Sequence, residues 1–214
     1  KSATNAQNML DAFQCSSEKR GVFQDRILER CLVTEVPDVL TEYARLRDLT
    51  IVPTAEDSFW GQSYLMPIIF GSGRPTLVTP HVRRSDKAFA LDTVAIAWDF
   101  SRPAARAIAD SLPLLERAKS VRVVMVVNEK VIDTKLSSAD LVKYLARHGV
   151  DVIFDMVDAA GRSVGRALES YIESCAADLL VMGAYGHSRI RDFILGGATK
   201  SMLLQPSVPI FLSH

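Results

Sequence analysis

The sequence predicts an α/β fold organised around a parallel sheet. Three short apolar runs, residues 93–97, 121–127 and 179–182, have the length and composition of buried parallel strands. Amphipathic stretches at 137–148 and 165–177 lie between them and have the spacing of helices. Because strand and helix alternate along the chain, we expect the strands to be parallel and the crossovers between them to be right-handed.

The C-terminal half, residues 91–214, carries the longer series of predicted elements. Pro113 is expected to kink or split the first helix of this half, because proline lacks the amide hydrogen that a helix interior needs. Pro206 ends the last helix. The predicted strands are 93–97, 121–127, 150–157, 179–182 and 208–212, and the predicted helices are 103–118, 137–148, 165–177, a short piece at 190–194 and a segment from 199 to 206.

The N-terminal half carries a shorter series. Gly21 is expected to end a first helix, and Pro37 to begin an amphipathic one. A run rich in large apolar side chains then indicates a buried helix despite Pro67. The predicted helices are 1–20, 36–47 and 54–74, and the predicted strands are 22–32, 49–52 and 76–79.

An internal repeat relates the two halves at an offset of about 130 residues. Residues 47–53 resemble residues 177–183, and residues 74–79 resemble residues 208–213. The first copy has no counterpart of residues 91–135, which form a strand, a helix and a second strand in the other copy. We therefore expect that the natural protein has further residues before Lys1, or that a segment is missing from this chain.

The repeat predicts two domains, residues 1–83 and 91–214, joined by a linker at 84–90. The copies differ at the ends of their strands. Pro53 stands where the second copy has Gly183, and the acidic residues Glu56 and Asp57 follow it. Carboxylates at this position would repel a phosphate, so a phosphate-binding role is predicted for the second copy only.

Glycines after the strand at 179–182 predict that phosphate site. Gly183 and Gly186 would let a ligand approach the backbone, because they have no Cβ atom. The turn Gly196-Gly197-Ala198-Thr199 leads into a helix, whose first N–H groups and dipole favour an anion. The alternative is that these glycines only cap strands and helices.

Composition excludes several kinds of ligand and partner. Lys and Arg together number 25, and so do Asp and Glu, so the formal net charge is zero. This balance argues against nucleic acid and against an anionic membrane surface. The three cysteines and four histidines share no metal-ligand spacing, so no metal site is predicted. Scattered cysteines without a Cys-x-x-Cys pair fit reduced thiols and predict a cytoplasmic location.

The pattern Gly183, two residues, Gly186, nine residues, Gly196 resembles the nucleotide-binding signature of the universal stress protein family. The family pattern then has a serine or threonine, where this chain has Gly197. The whole chain resembles a tandem universal stress protein with a degenerate, incomplete first domain. The resemblance implies Rossmann-like domains with a five-stranded parallel sheet of order 3-2-1-4-5 in the second and a reduced sheet in the first. It also implies binding of ATP, ADP or AMP, with magnesium accompanying the nucleotide.

The resemblance also implies which residues would contact the nucleotide. Asp99, after the first strand of the second domain, would accept hydrogen bonds from ribose or adenine, or else cap the following helix with Ser101. Trp98 would stack on the base or fill the core. Arg189 would reach phosphate or stay solvated. The implied contacts are Ala97, Trp98, Asp99, Val126, Val127, Met182, Gly183, Gly186, Arg189, Gly196, Gly197, Ala198 and Thr199.

The predicted function is regulatory nucleotide binding by a stress-response protein. Efficient hydrolysis is not expected, because the chain has no Gly-x-x-x-x-Gly-Lys-Ser/Thr and no aspartate placed by motif for magnesium. One alternative is a protein-interaction module that binds no nucleotide. The other is an adenylyl-transferring enzyme, for which His187 beside the glycine loop is the nearest candidate base.

The last strand of each copy is predicted to be an edge strand. Exposed edges are usually covered or paired. We expect residues 76–79 and 208–212 to pair about a pseudo-two-fold axis and join the two domains. The sequence leaves open whether two chains form a homodimer and which protein is the partner.

Overall fold

A computed structural model describes residues 2–23, 25–54, 58–81, 89–128, 135–184, 202–203 and 206–214. The chain divides into two compact units, Lys1–Val36 and Pro37–His214. The proposed linker at 84–90 lies mostly outside the described residues, so the two-domain division stays a prediction.

The N-terminal unit is built on one helix, α1 (Ser2–Glu18). The prediction of a strand over 22–32 is wrong for the described residues of that segment, which are irregular. Its apolar side chains do not form a buried face: Val22, Ile27, Leu28 and Leu32 are all exposed. Without a buried face and a hydrogen-bonded neighbour, weak alternation does not produce a strand. An ion pair between Arg26 and Asp11 connects the irregular segment to α1.

The larger unit contains a seven-stranded sheet of order β1-β2-β7-β6-β3-β4-β5. Every neighbouring pair is parallel except β2 and β7, which are antiparallel. The strands are β1 (Thr50–Pro53), β2 (Thr76–Thr79), β3 (Thr93–Ala97), β4 (Ser120–Val127), β5 (Val152–Asp158), β6 (Leu179–Gly183) and β7 (Ile210–Ser213).

The strand order of the C-terminal half is the predicted one. From β5 to β7, the strands lie in the order 3-2-1-4-5 when they are counted from β3. The prediction of separate sheets differs from the structure, because β1 and β2 continue the same sheet. The cause is the antiparallel pairing of the two last strands, Leu77 opposite Phe211, by which two otherwise unpaired edges satisfy each other's backbone groups.

The repeat is also present in the backbone hydrogen bonds. The N–H of Thr50 donates to the carbonyl of Pro75 over 3.1 Å, and the N–H of Leu180 donates to Pro209 over 3.0 Å. At the other end of each strand pair, Thr54 donates to Thr79 and Ala184 donates to Ser213, both over 2.8 Å. The two strand pairs therefore have the same register.

Helices cover both faces of the sheet. Side chains alternate across a strand, so Ala95 belongs to the buried cluster on one face while Val94 and Ile96 belong to the cluster on the other. We call these the α6 face and the α4 face after the helices that cover them. The helices of this unit are α2 (Val36–Arg45), α3 (Ser58–Gly71), α4 (Arg102–Leu115), α5 (Ser138–Arg147) and α6 (Val164–Ser174).

Both internal prolines lie inside helices. Pro67 belongs to α3, as predicted, and Pro113 belongs to α4. The α4 helix is not split at Pro113 but ends two residues later, at Leu115. None of the helices that the structure describes is long and apolar enough to cross a membrane.

Candidate functional site

The candidate site lies at the carboxyl ends of β3, β4 and β6, where ligands bind in open parallel sheets. Ala97 ends β3, and Val126 and Met182 are the penultimate residues of β4 and β6. All three side chains belong to or pack against the cluster on the α6 face. They lie where the strand order reverses, because β3 has β4 on one side and β6 on the other. Apolar side chains at such a point suit the flat face of a base.

Val127 points to the other face of the sheet. It pairs with Asp158, while Val126 pairs with Val157, which also packs against the α6-face cluster. The sequence could not distinguish Val126 from Val127 as the apolar contact. The alternation along β4 places only Val126 beside Ala97 and Met182.

Trp98 also lies away from these three side chains. It packs against the cluster on the α4 face, and its ring meets Phe100 edge-on at a centroid distance of 5.3 Å. Its indole Nε1 is buried and has no hydrogen-bond partner among the described residues. Of the two interpretations of Trp98, this position favours core packing over stacking on a base that contacts Val126.

Asp99 organises the start of α4. Its Oδ1 accepts a hydrogen bond from the N–H of Ser101 over 3.0 Å, and the hydroxyl of Ser101 accepts one from the N–H of Ala104 over 3.3 Å. Ser101 is therefore the N-cap of α4, as the alternative interpretation proposed. The carboxylate of Asp99 holds the capping loop in place at the carboxyl edge of the sheet.

Gly183 has a packing role that sequence reasoning missed. A Cβ atom at this position would lie 2.5 Å from the nitrogen of Ala104 and 2.6 Å from the carbonyl carbon of Pro103. Only a glycine lets the first turn of α4 approach β6 this closely. The signal in the sequence was ambiguous, because a strand-ending glycine also permits the approach of a ligand.

Asn128 and Asp158 form a second feature of this edge that sequence reasoning missed. Asn128 follows β4 with a φ of 62°, and its side-chain amide donates to Asp158 over 2.8 Å. The N–H of Ala160 donates to the other oxygen of Asp158 over 2.7 Å. These two bonds, that from Ala160 first, hold the pKa of Asp158 below its ordinary value. The available signal was an Asn directly after the predicted strand 121–127 and an Asp directly after the predicted strand 150–157.

The predicted phosphate-binding residues lie outside the described part of the chain, which lacks residues 185–201. They are Gly186, Arg189, Gly196, Gly197, Ala198 and Thr199, and the candidate base His187 lies with them. Their roles stay predictions. In the described residues, no group of three His, Cys, Asp or Glu side chains could hold a metal ion.

Comparison with known proteins found related chains. No protein-family model matches the chain. A segment of 50 residues is 48% identical to the universal stress protein Slr1230 of a Synechocystis strain, which is 22% of this chain and 17% of that protein. The chain thus matches only about a sixth of the length of this curated relative.

Solved structures resemble the fold over almost the entire chain. A universal stress protein from Archaeoglobus fulgidus aligns with 98% of this chain and 76% of its own length, at 18% identity and a TM-score of 0.73. A universal stress protein candidate from Pseudomonas aeruginosa aligns with 97% of this chain and 77% of its own, at 10% identity and a TM-score of 0.60. At these identities the likeness concerns the fold.

Proposed function

We propose that this chain, whose membership of the universal stress protein family the comparisons support, binds an adenine nucleotide in its C-terminal half. The observation that carries the proposal is the group of apolar side chains at the carboxyl ends of three adjacent strands, in which Ala97 and Val126 are half-buried and Met182 is buried. The glycine-rich segment that would bind the phosphates follows β6 directly.

The individual contacts follow from this placement. Ala97, Val126 and Met182 would contact adenine, and Asp99 would accept hydrogen bonds from the ribose in addition to orienting the cap of α4. Backbone N–H groups of Gly196, Gly197, Ala198 and Thr199 would donate to the phosphates, and Arg189 would pair with them. Magnesium would bind through the nucleotide itself.

The proposed role is regulatory rather than catalytic, in a stress response. The described polar side chains at this edge are Asp99, which accepts from the N–H of Ser101, the N-cap residue Ser101, and the hydrogen-bonded pair Asn128 and Asp158. None of them forms the pair of a nucleophile and an oriented base that acyl or phosphoryl transfer requires. Binding would change the protein's surface, and a partner protein would recognise that change.

The test is isothermal titration with ATP, ADP and AMP, with and without magnesium. We expect Val126→Phe to weaken binding at least tenfold, because the larger ring would occupy the place of the base. Val127→Phe is the matched control: it adds the same volume one residue further on, at the opposite face, and should leave the affinity unchanged. Gly196→Asp should abolish binding by placing a negative charge among the phosphate donors.

The same titration discriminates the second candidate, an interaction module without nucleotide. This candidate is favoured by the structural roles that Asp99 and Gly183 already have. A folded, nucleotide-free protein that releases no heat with any of the three nucleotides would contradict the first proposal and leave the second.

A further inference from the structure

The antiparallel pairing of β2 with β7 reverses the strands of the first copy relative to those of the second. The amino end of β2 therefore lies beside the carboxyl end of β7, with Thr76 opposite Leu212. Continuing this register by two residues places Arg74 level with His214. Residues that precede β2 thus lie at the edge of the sheet that carries the proposed nucleotide site.

His214 connects this part of the edge to the glycine-rich segment. Its Nδ1 hydrogen-bonds to the carbonyl oxygen of Ala184 over 2.9 Å, and the N–H of Ala184 donates to the carbonyl of Ser213 over 2.8 Å. The ring of His214 also meets the ring of Phe70, in the last turn of α3, edge-on at a centroid distance of 4.8 Å. The end of α3 is therefore separated from Ala184 by a single side chain, and the glycine-rich segment begins directly after Ala184.

Two arginines of the first copy are fixed at the same place. The Nε of Arg45, the last residue of α2, donates to the carbonyl of Gly71 over 3.3 Å, and the Nε of Arg74 donates to the carbonyl of Arg45 over 3.2 Å. These bonds satisfy carbonyls at the ends of α3 and α2, which is a structural role. They use only the Nε atoms, so the terminal NH₂ groups of both guanidinium groups have no partner among the described residues.

The charges of Arg45 and Arg74 are also uncompensated. Both side chains are exposed, and neither forms an ion pair within the described part of the chain. By contrast, Arg106 and Arg122 each pair with an aspartate, Asp110 and Asp155 respectively. Two neighbouring guanidinium groups with free NH₂ donors favour a phosphate, because their paired N–H groups match its oxygen atoms.

We propose that Arg45 and Arg74 bind the terminal phosphates of a nucleotide held by the second copy, so that the first copy supplies a preference for ATP over AMP. This inference rests on the proposed function. Arg74 is two strands away from Ala184 along the edge, which is about 10 Å at the usual spacing of strands. Helices α2 and α3 contribute to the cluster on the α6 face, against which the proposed base contacts also pack. The arginines therefore lie at the same edge and on the same face as those contacts.

The test is isothermal titration of the full chain with ATP and with AMP. The unaltered chain should bind ATP at least tenfold more tightly than AMP. Arg45→Gln/Arg74→Gln should weaken ATP binding at least tenfold and change AMP binding less than twofold, because AMP lacks the terminal phosphates. Loss of the helix-capping bonds alone would not change the ratio of the two affinities. Arg147→Gln is the matched control: it removes an exposed arginine that ends α5 as Arg45 ends α2, and should leave both affinities unchanged.

The single variants Arg45→Gln and Arg74→Gln answer the same question if the double variant does not fold, and each should weaken ATP binding at least threefold. The inference alone is overturned if the unaltered chain binds ATP and AMP equally, if the altered chains keep the original ratio of affinities, or if Arg147→Gln lowers that ratio as much. A folded chain that binds neither nucleotide would instead contradict the proposed function, and this inference with it.

Discussion

Gly183 shows how one residue can carry two interpretations. Its position at the end of β6 predicted a place where a ligand approaches the backbone. The structure shows that the backbone of α4 already makes that approach, because a Cβ atom on Gly183 would lie only 2.5 Å from the nitrogen of Ala104. The glycine is therefore required for the packing of α4 on β6, whether or not nucleotide binds beside it.

We expect Gly183→Ala to destabilise the protein by about 1–3 kcal/mol, since the methyl group would push against the backbone of α4 rather than against a side chain. Urea unfolding followed by circular dichroism would measure it. Gly71→Ala is the control: its Cβ would meet only a methyl group of Thr41, at 2.9 Å, so a smaller loss is expected. Equal losses in the two variants would contradict the packing role.

At the scale of elements, a polar network connects α6 to β4 and to the outer strand β5. Arg122 of β4 donates to the Tyr171 hydroxyl over 2.9 Å and to Asp155 of β5 over 2.7 Å, and the Tyr171 hydroxyl donates to Asp155. The bond from Tyr171, followed by Arg122, holds the pKa of Asp155 below its ordinary value. Burial, followed by the bond to Asp155, raises the pKa of Tyr171 to about 12.

These two pKa shifts affect the free energy of unfolding at opposite ends of the pH range. The pKa of Asp155 is lowered in the folded protein, so its contribution is present above the ordinary pKa and is lost as the pH falls through the folded one. Tyr171→Phe removes the leading cause of that shift and should make the acid decline of unfolding free energy shallower, by about 1 kcal/mol between pH 6 and pH 2. Urea unfolding at several pH values measures it, with Tyr144→Phe, which lies outside the network, as control.

Tyr171 is expected to affect the free energy of unfolding at high pH. Its raised pKa adds stability that is full below pH 10, the ordinary value, and is lost as the pH rises toward about 12. Ultraviolet titration near 295 nm should show one tyrosine that ionises last. If Tyr171→Phe leaves that late step in place, the assignment is wrong.

At the scale of the larger unit, the β2–β7 pairing makes the two copies parts of one sheet. Buried residues of both copies belong to one cluster on the α6 face, including Ile68 of α3 together with Leu168 and Ile172 of α6. Shared burial couples their unfolding, so a change in the first copy should destabilise the second.

Ile68→Ala should therefore lower the unfolding free energy by about 2–5 kcal/mol, because Ile68 is buried and its truncation leaves a cavity. In a Trp60→Phe background, the fluorescence of Trp98 should report the full loss, although Trp98 lies in the second copy. Met156→Ala, at an exposed position of β5, serves as control and should change little. Two separate transitions in urea would contradict the coupling.

The sequence identified most elements because their signals are local. The strands Thr76–Thr79 and Thr93–Ala97 have the predicted bounds, and the other strands of the larger unit differ by one or two residues at their ends. The strand over 22–32 was wrong because weak alternation, without a buried face, does not distinguish a strand from irregular chain. Pro67 was correctly predicted to lie inside a helix. Burial of the apolar residues around it outweighs the backbone hydrogen bond that proline cannot make.

The sequence alone thus determined the order of strands and helices, the repeat, and the edge of the sheet at which Ala97, Val126 and Met182 meet. Periodicity and chain order carry this information, because parallel strands place their carboxyl ends together. Only the tertiary structure decided that Trp98 faces away from Val126, that α4 rests on Gly183, and that β2 joins β7 in one sheet. These outcomes depend on contacts between residues far apart in sequence, whose geometry no local pattern specifies.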